Sequence, residues 1–396
     1  NQNTATGGTA TFSDASDGAS SPSFTVGAPA SDGVASIDAS GNWTYTPDPD
    51  YFGSDSFTIS VTDDDGNVES QLISLTINEA PTNPAKLAFG VMENVGESWV
   101  TVNLPFSYTS MVVVATPNYD ASSAPAVVRI QNASGNSFQM KVQRAGGSMT
   151  INPMDVHYTV IEEGVYNDAG FKLEAVKYTS TVTAENNNWT AEARTYQQSY
   201  NNPVVVGQVM TTNDADWSAF WARGANRNAP PSASTLYTGK MVGEDADATR
   251  SDEVIGYFVI EATSDGQIGE FPFRAGLGAD TIRGVGDSPA YQYSYSPFTT
   301  GIPEAAVVSL AGMDGGNGGW AMLYGADPLP TAGGGGDLYL AIDEDQAKDT
   351  ERRHTTEQVA WFIIDPPIEK FDIDAAINED SPDTWLDSFG ILAPRD

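Results

Sequence analysis

The amino-acid sequence predicts an all-β protein made of tandem antiparallel β-sandwiches. Its apolar residues fall in short runs of alternating or uniform character, bounded by Gly, Pro, Asn or Asp, which is typical of strands and turns. One such pattern occurs three times, and its closing runs align on Ile161, Ile260 and Ile364, with spacings of 99 and 104 residues. These spacings are too long for a solenoid and suit tandem domains of one architecture. Most of the chain is therefore predicted to be one β unit used three times.

The composition excludes several classes of protein. With 53 acidic and 18 basic residues among 396, the net charge is −35, which repels nucleic acid and anionic membranes. The sequence contains no cysteine, which excludes disulfides and thiol chemistry. No apolar run reaches the length of a membrane span, no signal peptide is visible, and the sequence begins at Asn1. We therefore expect a processed form or a piece of a longer protein, with no nucleic acid partner and no membrane insertion.

Residues 1–80 are predicted to form a separate first domain. Two alternating segments, 57–66 and 69–78, read as strands, and the Asp65-Gly66 dipeptide between them is a hairpin turn signal. The Pro- and Asn-rich residues 78–86 are predicted to be the linker to the three repeats.

Three motifs of this domain occur together in a known family. They are G-x-W-x-Y-T-P at 41–47, D-Y-x-G-x-D-S-F at 50–57 and V-T-D-D-x-G at 61–66. Residues 9–78 thereby resemble the bacterial cadherin-like and Ig-like repeats of long surface adhesins and of multidomain secreted polysaccharide-degrading enzymes. The resemblance implies a seven-stranded sandwich that serves as a spacer, in an extracellular, secreted or cell-surface-attached bacterial protein.

Carboxylates in the loops of the first domain suggest calcium as a cofactor. Calcium takes six to eight oxygen ligands, which flexible acidic loops are able to supply. The alternative is that Asp simply favours turns, because its side chain bonds nearby backbone, and the loops lack the regular D-x-D-x-D-G spacing of a calcium loop. The candidate ligands are Asp14, Asp17, Asp48, Asp50, Asp55, Asp63 and Asp65.

The three repeats are assigned to residues 87–167, 168–264 and 265–367, followed by a C-terminal tail at 368–396. Each repeat has an apolar central strand and a closing strand that ends in an acid. The central strands lie within residues 107–115, 199–207 and 301–309. A middle strand lies between the two, as in AVVRIQNAS and SAFWARGAN. In the tail, Ser381 is expected to cap a short helix from Pro382 to Gly390.

This arrangement is similar to the H-type lectin-like units of invertebrate agglutinins and marine bacterial secreted proteins. The closing pattern H-x-x-E-x-V-x-[YW]-x-x-[IV]-E is kept best in the third repeat, with His354, Glu357, Trp361 and Asp365 in its places. The second repeat has no histidine, and the first has Met154 where the inner glutamate would be. The resemblance covers residues 87–366 and implies six-stranded sandwiches that bind sugar near subunit boundaries. Three copies in one chain are able to mimic a trimer, and a bead-like arrangement is the alternative.

Sugar binding needs an aromatic face for the ring and planar hydrogen-bonding groups for the hydroxyls. The second repeat has the densest set of both, and Trp217, Trp221 and Arg223 have the same parity in a continuous strand. The alternative is that such tryptophans belong to the core, as large aromatic residues usually do. The predicted ligand-binding residues are Trp217, Trp221, Arg223, Arg227 and Tyr237, then Trp320, Tyr324 and Tyr339 of the third repeat, and Arg129 of the first.

The remaining chemistry-bearing residues do not form a recognisable catalytic set. His157 and His354 are the two histidines, and His354 with Glu357 is predicted to belong to a polar loop and strand edge. Asp343 and Asp345 are further possible calcium ligands, although a solvated loop explains them equally well. No nucleophile elbow, phosphate-binding loop or metalloprotease helix is present, so the sequence predicts no enzyme. Carboxylate pairs of a polysaccharide lyase or hydrolase have no fixed spacing in sequence.

Two functions remain. The first is a carbohydrate-binding adhesion module that recognises a glycan on a cell surface or a polysaccharide. The second is a structural subunit of an extracellular fibre or matrix, with self-association through sandwich edges. An accessory region of a polysaccharide-degrading enzyme is a further alternative. Exposed loop aromatics would favour sugar binding, and buried ones would favour assembly.

Overall fold

The fold was examined in a computed structural model of the chain. It describes residues 5–11, 22–49, 51–64, 66–77, 83, 85–168, 171–186, 188–298, 303–330 and 336–365. Among these residues every regular element is a strand, apart from one turn of 3-10 helix at Val285–Asp287. The all-β prediction is confirmed. Asp14, Asp17, Asp50, Asp65 and the expected helix after Ser381 lie outside the described residues.

The chain divides into two compact units, residues 1–83 and 84–396. The strands of the first unit are β1 Thr6–Thr9, β2 Ser23–Ala28, β3 Gly33–Ile37, β4 Asn42–Pro47, β5 Gly53–Thr62 and β6 Val68–Ile77. They form two three-stranded antiparallel sheets with the orders β1-β4-β3 and β2-β5-β6. The predicted hairpin is β5 and β6, and Gly66 adopts a φ of +88° in the loop between them. The buried core of this unit is Tyr45, Phe57, Ile59 and Ile77.

The second unit contains the three repeats, which share one strand plan. The strands of the first repeat are β7 Ala88–Val95, β8 Val100–Tyr108, β9 Met111–Tyr119, β10 Ala126–Arg144 and β11 Met154–Glu162. Those of the second are β12 Gly164–Asp168, β13 Phe171–Ser180, β14 Thr183–Ala184, β15 Glu192–Arg194, β16 Pro203–Val209, β17 Ala219–Arg223, β18 Leu236–Met241 and β19 Glu253–Glu261. Those of the third are β20 Thr263–Ile268, β21 Phe271–Leu277, β22 Tyr291–Tyr295, β23 Ala305–Leu310, β24 Trp320–Tyr324, β25 Gly336–Asp343 and β26 Val359–Ile364.

In each repeat the predicted closing strand pairs with the predicted central strand on one side and with an early strand on the other. The three orders are β7-β11-β9, β13-β19-β16 and β21-β26-β23, all antiparallel. The short hairpin strands β12 and β20 extend the second and third of these sheets. A second set of strands accompanies each one: β8 with β10 in the first repeat, β18 with β14, β15 and β17 in the second, and β22-β25-β24 in the third. The last set continues through β9 into the first repeat, as one six-stranded sheet of order β22-β25-β24-β9-β11-β7.

The repeats pack around a shared core, because one face of each central strand is turned toward the other two repeats. This face consists of apolar residues at alternate positions, all buried in a single cluster: Val112, Val114, Val204, Val206, Ala305 and Val307. Aromatic contacts also cross between repeats, with ring centroids 5.3 Å apart for Phe258–Phe362 and 5.4 Å for Phe89–Phe271. The opposite face of each central strand fills its own sandwich. Burial on both faces explains why the central strands are mostly apolar.

The repeats are also linked side by side in a closed order. The third repeat pairs with the first where β24 runs parallel to β9 at Leu323–Asn118, and an isolated parallel bridge joins Ala222 of the second repeat to Ala311 of the third. The first repeat meets the second where Gln208 Nε2 donates to the Val128 carbonyl at 2.9 Å. The repeats therefore pack as a ring of three rather than as beads on a string.

Candidate functional site

Each repeat contacts the next one through a buried or half-buried arginine, and we call these three contacts the joints. In every joint a guanidinium donates to backbone carbonyls in the loop that follows the central strand of the next repeat. The bonds are Arg129 to Asp214 (2.8 Å) and Asp216 (2.7 Å), Arg227 to Gly315 (3.2 Å), and Arg352 to Ser123 (2.7 Å). A planar group with several donors suits this role, because loop carbonyls have no partner within a sheet.

The inner glutamates of the closing strands hold the same loops from within their own repeats. Glu253 is fully buried and accepts hydrogen bonds from the amides of Asn213 (3.1 Å) and Asp214 (2.9 Å). Glu357 does the same for the amides of Asp314 and Gly315, both at 2.8 Å. In the first repeat this position is Met154, which is buried.

The closing acids of the first two repeats hold the turn that precedes the central strand. Glu162 accepts from the amide of Ser110 at 2.6 Å, and Glu261 accepts from the amide of Asn202 at 2.6 Å. In the second repeat, the two acids of the recurring pattern therefore secure the two ends of the central strand. Their recurrence has a structural reason that requires no ligand.

His354 lies between two glutamates inside the third repeat. Its Nδ1 is 3.1 Å from Glu344 Oε2, and its Nε2 is 2.8 Å from Glu357 Oε1. Burial alone would lower the pKa of His354, but the hydrogen bonds to Glu344 and Glu357 outweigh it and raise the pKa to about 9. His354 is thus charged and holds Glu357, the glutamate that binds the loop amides, and we call this contact the His354 clamp. It lies in a buried cluster rather than at an exposed strand edge.

His157 is the opposite case. Its Nδ1 accepts a hydrogen bond from the Ala306 amide at 3.2 Å, across the contact between the first and third repeats. Burial lowers the pKa of His157 to about 4, so the ring is neutral at pH 7.

Four of the residues predicted to form a sugar-binding surface are buried in the structure. Trp217, Trp221 and Trp320 belong to one interior cluster, and Arg129 is the clamp of the first joint. Trp217 packs edge-on against Trp320 with ring centroids 5.5 Å apart, and a half-buried loop residue, Trp189, covers Trp221 at 5.8 Å. The parity argument was correct for Trp221 and Arg223, which pair with Gly239 and Tyr237 of β18. It failed on exposure, since a neighbouring loop covers that face.

The other predicted residues are half-buried and dispersed. Arg223 and Tyr237 lie together, with the guanidinium 4.0 Å from the ring centroid. Arg227 belongs to the second joint. Tyr324 lies at the end of β24 beside β9, and Tyr339 lies on β25.

The structure instead places an open groove of about 560 Å³ on one side of the third repeat. Two aromatic residues line it, Trp361 and Tyr295, with ring centroids 6.3 Å apart. Both are largely buried, 9% and 8% exposed, in the same interior cluster as Trp217, Trp221 and Trp320, so only a small part of each side chain reaches the groove. The remaining lining residues are small and mostly hydroxyl-bearing: Ala262, Thr263, Ser264, Ala275, Ser294 and Ser296. Tyr295 has a buried hydroxyl with no hydrogen-bond partner among the described residues. We call this surface the groove.

A glycine allows the tryptophan to lie beside the groove. Trp361 pairs with Gly276 of β21, and a Cβ at position 276 would approach Cζ2 of the indole to 2.5 Å. In the second repeat the equivalent pair is Tyr257 with Val176. There, Tyr178 packs against Tyr257 at 6.2 Å, and Arg194 stacks on Tyr178 at 3.7 Å. The first repeat also has a glycine at this register position, Gly90 opposite Tyr158. The third repeat is the one that combines the glycine with an indole.

The groove was missed because sequence parity does not reveal which side of a sandwich is open. Two signals were available: the alternation of tyrosine and serine at 293–296, and glycine at 276 where the second repeat has valine. Both become informative only once the registers of the closing strands are known.

The acidic loops of the first unit serve its own backbone where the structure describes them. Asp55 is buried and accepts from Tyr45 Oη (2.8 Å) and from the amides of Ser31 (3.1 Å), Asp32 (3.0 Å) and Ser56 (2.7 Å). Asp63 accepts from the amide of Asn67 at 2.7 Å, and Asp48 is exposed. Within the described part of the chain, no three His, Asp or Glu side chains are grouped to hold a metal ion. Calcium remains a prediction.

Comparison with known proteins identifies the class of the first unit. Residues 1–79 match the bacterial cadherin-like domain family, as the three motifs at 41–66 indicated. The chain is also similar to halomucin of Haloquadratum walsbyi (strain DSM 16790 / HBSQ001), with 29% identity over 247 residues. That match covers 60% of this chain and 2% of the length of halomucin. No solved structure matches the chain.

The H-type lectin resemblance of the repeats remains a prediction. In the part of the chain that the structure describes, no helix is long and apolar enough to cross a membrane.

Proposed function

We propose that this chain is an adhesion module of a multidomain protein that is secreted or attached to the cell surface, and that it binds glycans through the groove. The cadherin-like first unit and the similarity to halomucin support the adhesion class. In this proposal the first unit is a spacer and the three-repeat body carries the binding surface. In this proposal the joints hold the three repeats in fixed positions and so keep the binding surface rigid.

The observation that carries glycan binding is the composition of the groove. A pyranose has an apolar face that packs on aromatic rings, and hydroxyls that both donate and accept hydrogen bonds. The small exposed parts of Trp361 and Tyr295 provide the apolar contact surface, while Thr263, Ser264 and Ser296 provide hydroxyls. The volume of about 560 Å³ lies in the range of ligand-sized clefts.

The experiment is a glycan array probed with the full chain, followed by calorimetry on each hit. Ser264→Trp places a large side chain in the groove at an exposed position and should abolish binding. Ser234→Trp is the matched control, because Ser234 is an exposed serine of the second repeat. Equal loss in both variants, or no loss in either, would remove the groove from the proposal. A chelator arm tests calcium: binding that survives chelation assigns no role in recognition to a metal.

A second candidate function is a structural subunit of a fibre or matrix. The burial of Trp217, Trp221 and Trp320 favours it, because these residues stabilise packing between repeats. An empty array together with concentration-dependent assembly in light scattering would support this alternative.

A further inference from the structure

Carboxylates surround the groove. Asp265 follows the lining residue Ser264, and its side chain is 91% exposed. Asp337 accepts a hydrogen bond from the hydroxyl of Ser294 at 2.9 Å. Asp327 is also close enough to act electrostatically on the Tyr295 phenol. A ligand in the groove is therefore exposed to negative potential from several sides.

The arginine beside the groove does not present a free cation to a ligand, because its positive charge is paired with Asp265 and its other contacts are with backbone carbonyls. Arg274 is 6% exposed and donates to the carbonyls of Phe273 (2.9 Å), Ser296 (3.0 Å) and Pro297 (3.2 Å). It also stacks on the Phe298 ring at 4.4 Å and lies 3.4 Å from Asp265. A bound carboxylate or sulfate would have to displace these partners to reach the guanidinium.

The polar groups that remain available are uncharged. The hydroxyls of Ser264 and Ser296 belong to exposed residues that line the groove. The buried Tyr295 phenol adds no charge, because burial and then Asp337 raise its pKa to about 12. Exposed serine hydroxyls suit a ligand that is itself rich in hydroxyls and without charge.

We propose that the groove selects uncharged glycans and that Asp265 and Asp337 exclude anionic ones. This inference rests on the proposed function and adds its ligand class and two specificity-determining residues. At low salt, repulsion across water between a ligand carboxylate and one of these aspartates about 7 Å away weakens binding about threefold, and less as the salt concentration is raised.

The test uses calorimetry on the full chain at low salt with two probes of equal length: a neutral hexose oligomer and the oligomer of the corresponding uronic acid. The wild-type chain should bind the neutral probe and bind the uronate about tenfold more weakly or worse. Asp265→Asn with Asp337→Asn should strengthen uronate binding at least threefold and leave the neutral probe unchanged, since asparagine keeps an acceptor for Ser294. Glu93→Gln with Glu97→Gln, at two exposed glutamates of the first repeat, is the matched control for net charge.

The outcomes separate the two proposals. Equal affinity for both probes, or an effect of the double glutamate variant as large as that of the double aspartate variant, overturns charge selection and leaves glycan binding in place. Absence of binding to either probe and to the array removes the proposed function and the inference with it. A difference between probes that narrows as salt is raised supports the electrostatic cause.

Discussion

The joints and the groove use similar side chains for different ends. In the joints, arginine and glutamate are buried, and their partners are backbone groups of loops in the same body. In the groove, Arg274 is equally committed to carbonyls, but serine hydroxyls lie exposed and the Tyr295 hydroxyl has no partner among the described residues. Polar groups satisfied within the fold stabilise it, whereas those left available are able to serve a ligand.

The difference also shows why richness in tryptophan was a poor guide to a binding surface. The second repeat has more aromatic and arginine residues near its middle strand than the third, and it uses them to pack against its neighbours. The third repeat presents an opening because Gly276 is small where the second repeat has Val176. A binding surface depends on what covers an aromatic residue, which is a property of the whole body.

The largest expected effect comes from opening a joint. Arg129→Ala leaves Glu253 and the carbonyls of Asp214 and Asp216 without their buried donor. The free energy of unfolding should fall by about 3–5 kcal/mol, as for other buried charges that lose their partner. Urea denaturation followed by tryptophan fluorescence measures it. Arg144→Ala, an exposed arginine of the same strand, should cost about 0.5 kcal/mol or less. Similar losses in the two variants would show that the joint contributes little.

The His354 clamp should make stability depend on pH. The pKa of His354 is about 6.5 when unfolded and about 9 when folded. A raised folded pKa means that the stabilisation is complete below pH 6.5 and is lost as pH rises through 9. Burial raises the pKa of Glu344 from 4.5 to about 7, so its effect also lowers stability as pH rises, but between about pH 4.5 and 7.

The measurement is the unfolding free energy of the wild type and of His354→Gln between pH 6 and 10. The difference between them should be on the order of 1–3 kcal/mol at pH 6 and should shrink toward pH 10. His157→Gln is the control, because His157 has a folded pKa of about 4 and does not titrate between pH 7 and 10. A constant difference for both variants would contradict a protonated clamp.

The groove can be tested by giving the third repeat the residue of the second. In Gly276→Val, the new Cβ meets the Trp361 indole at 2.5 Å, so the ring must move. Crowding of this kind costs about 1–3 kcal/mol, and the groove should close with loss of glycan binding. Thermal unfolding and the array together measure both effects. Unchanged binding would place the ligand elsewhere.

The sequence predicted the strands and the threefold repeat because these depend on local patterns. Central runs such as residues 111–115 are apolar at every position, and the structure buries them on both faces as expected. The sequence did not reveal that Trp221 is buried, since the parity of this residue is the same whether a loop or solvent covers that face. Asp55 was a reasonable metal ligand by composition, but four hydrogen bonds from its own domain occupy both its oxygens. Such non-local partners leave no local signal in the sequence.

The smallest expected effect contrasts two tyrosine hydroxyls in the second and third repeats. Tyr178 bonds Thr238 Oγ1 at 2.8 Å, so Tyr178→Phe should cost about 1 kcal/mol. The Tyr295 hydroxyl is buried without a partner among the described residues, so Tyr295→Phe should change stability by less than about 0.5 kcal/mol or increase it. Unfolding curves of the two variants decide between these outcomes. Equal losses would mean that Tyr295 already has a partner in the folded chain. A loss of glycan affinity in Tyr295→Phe without a loss of stability would mean that the ligand supplies that partner.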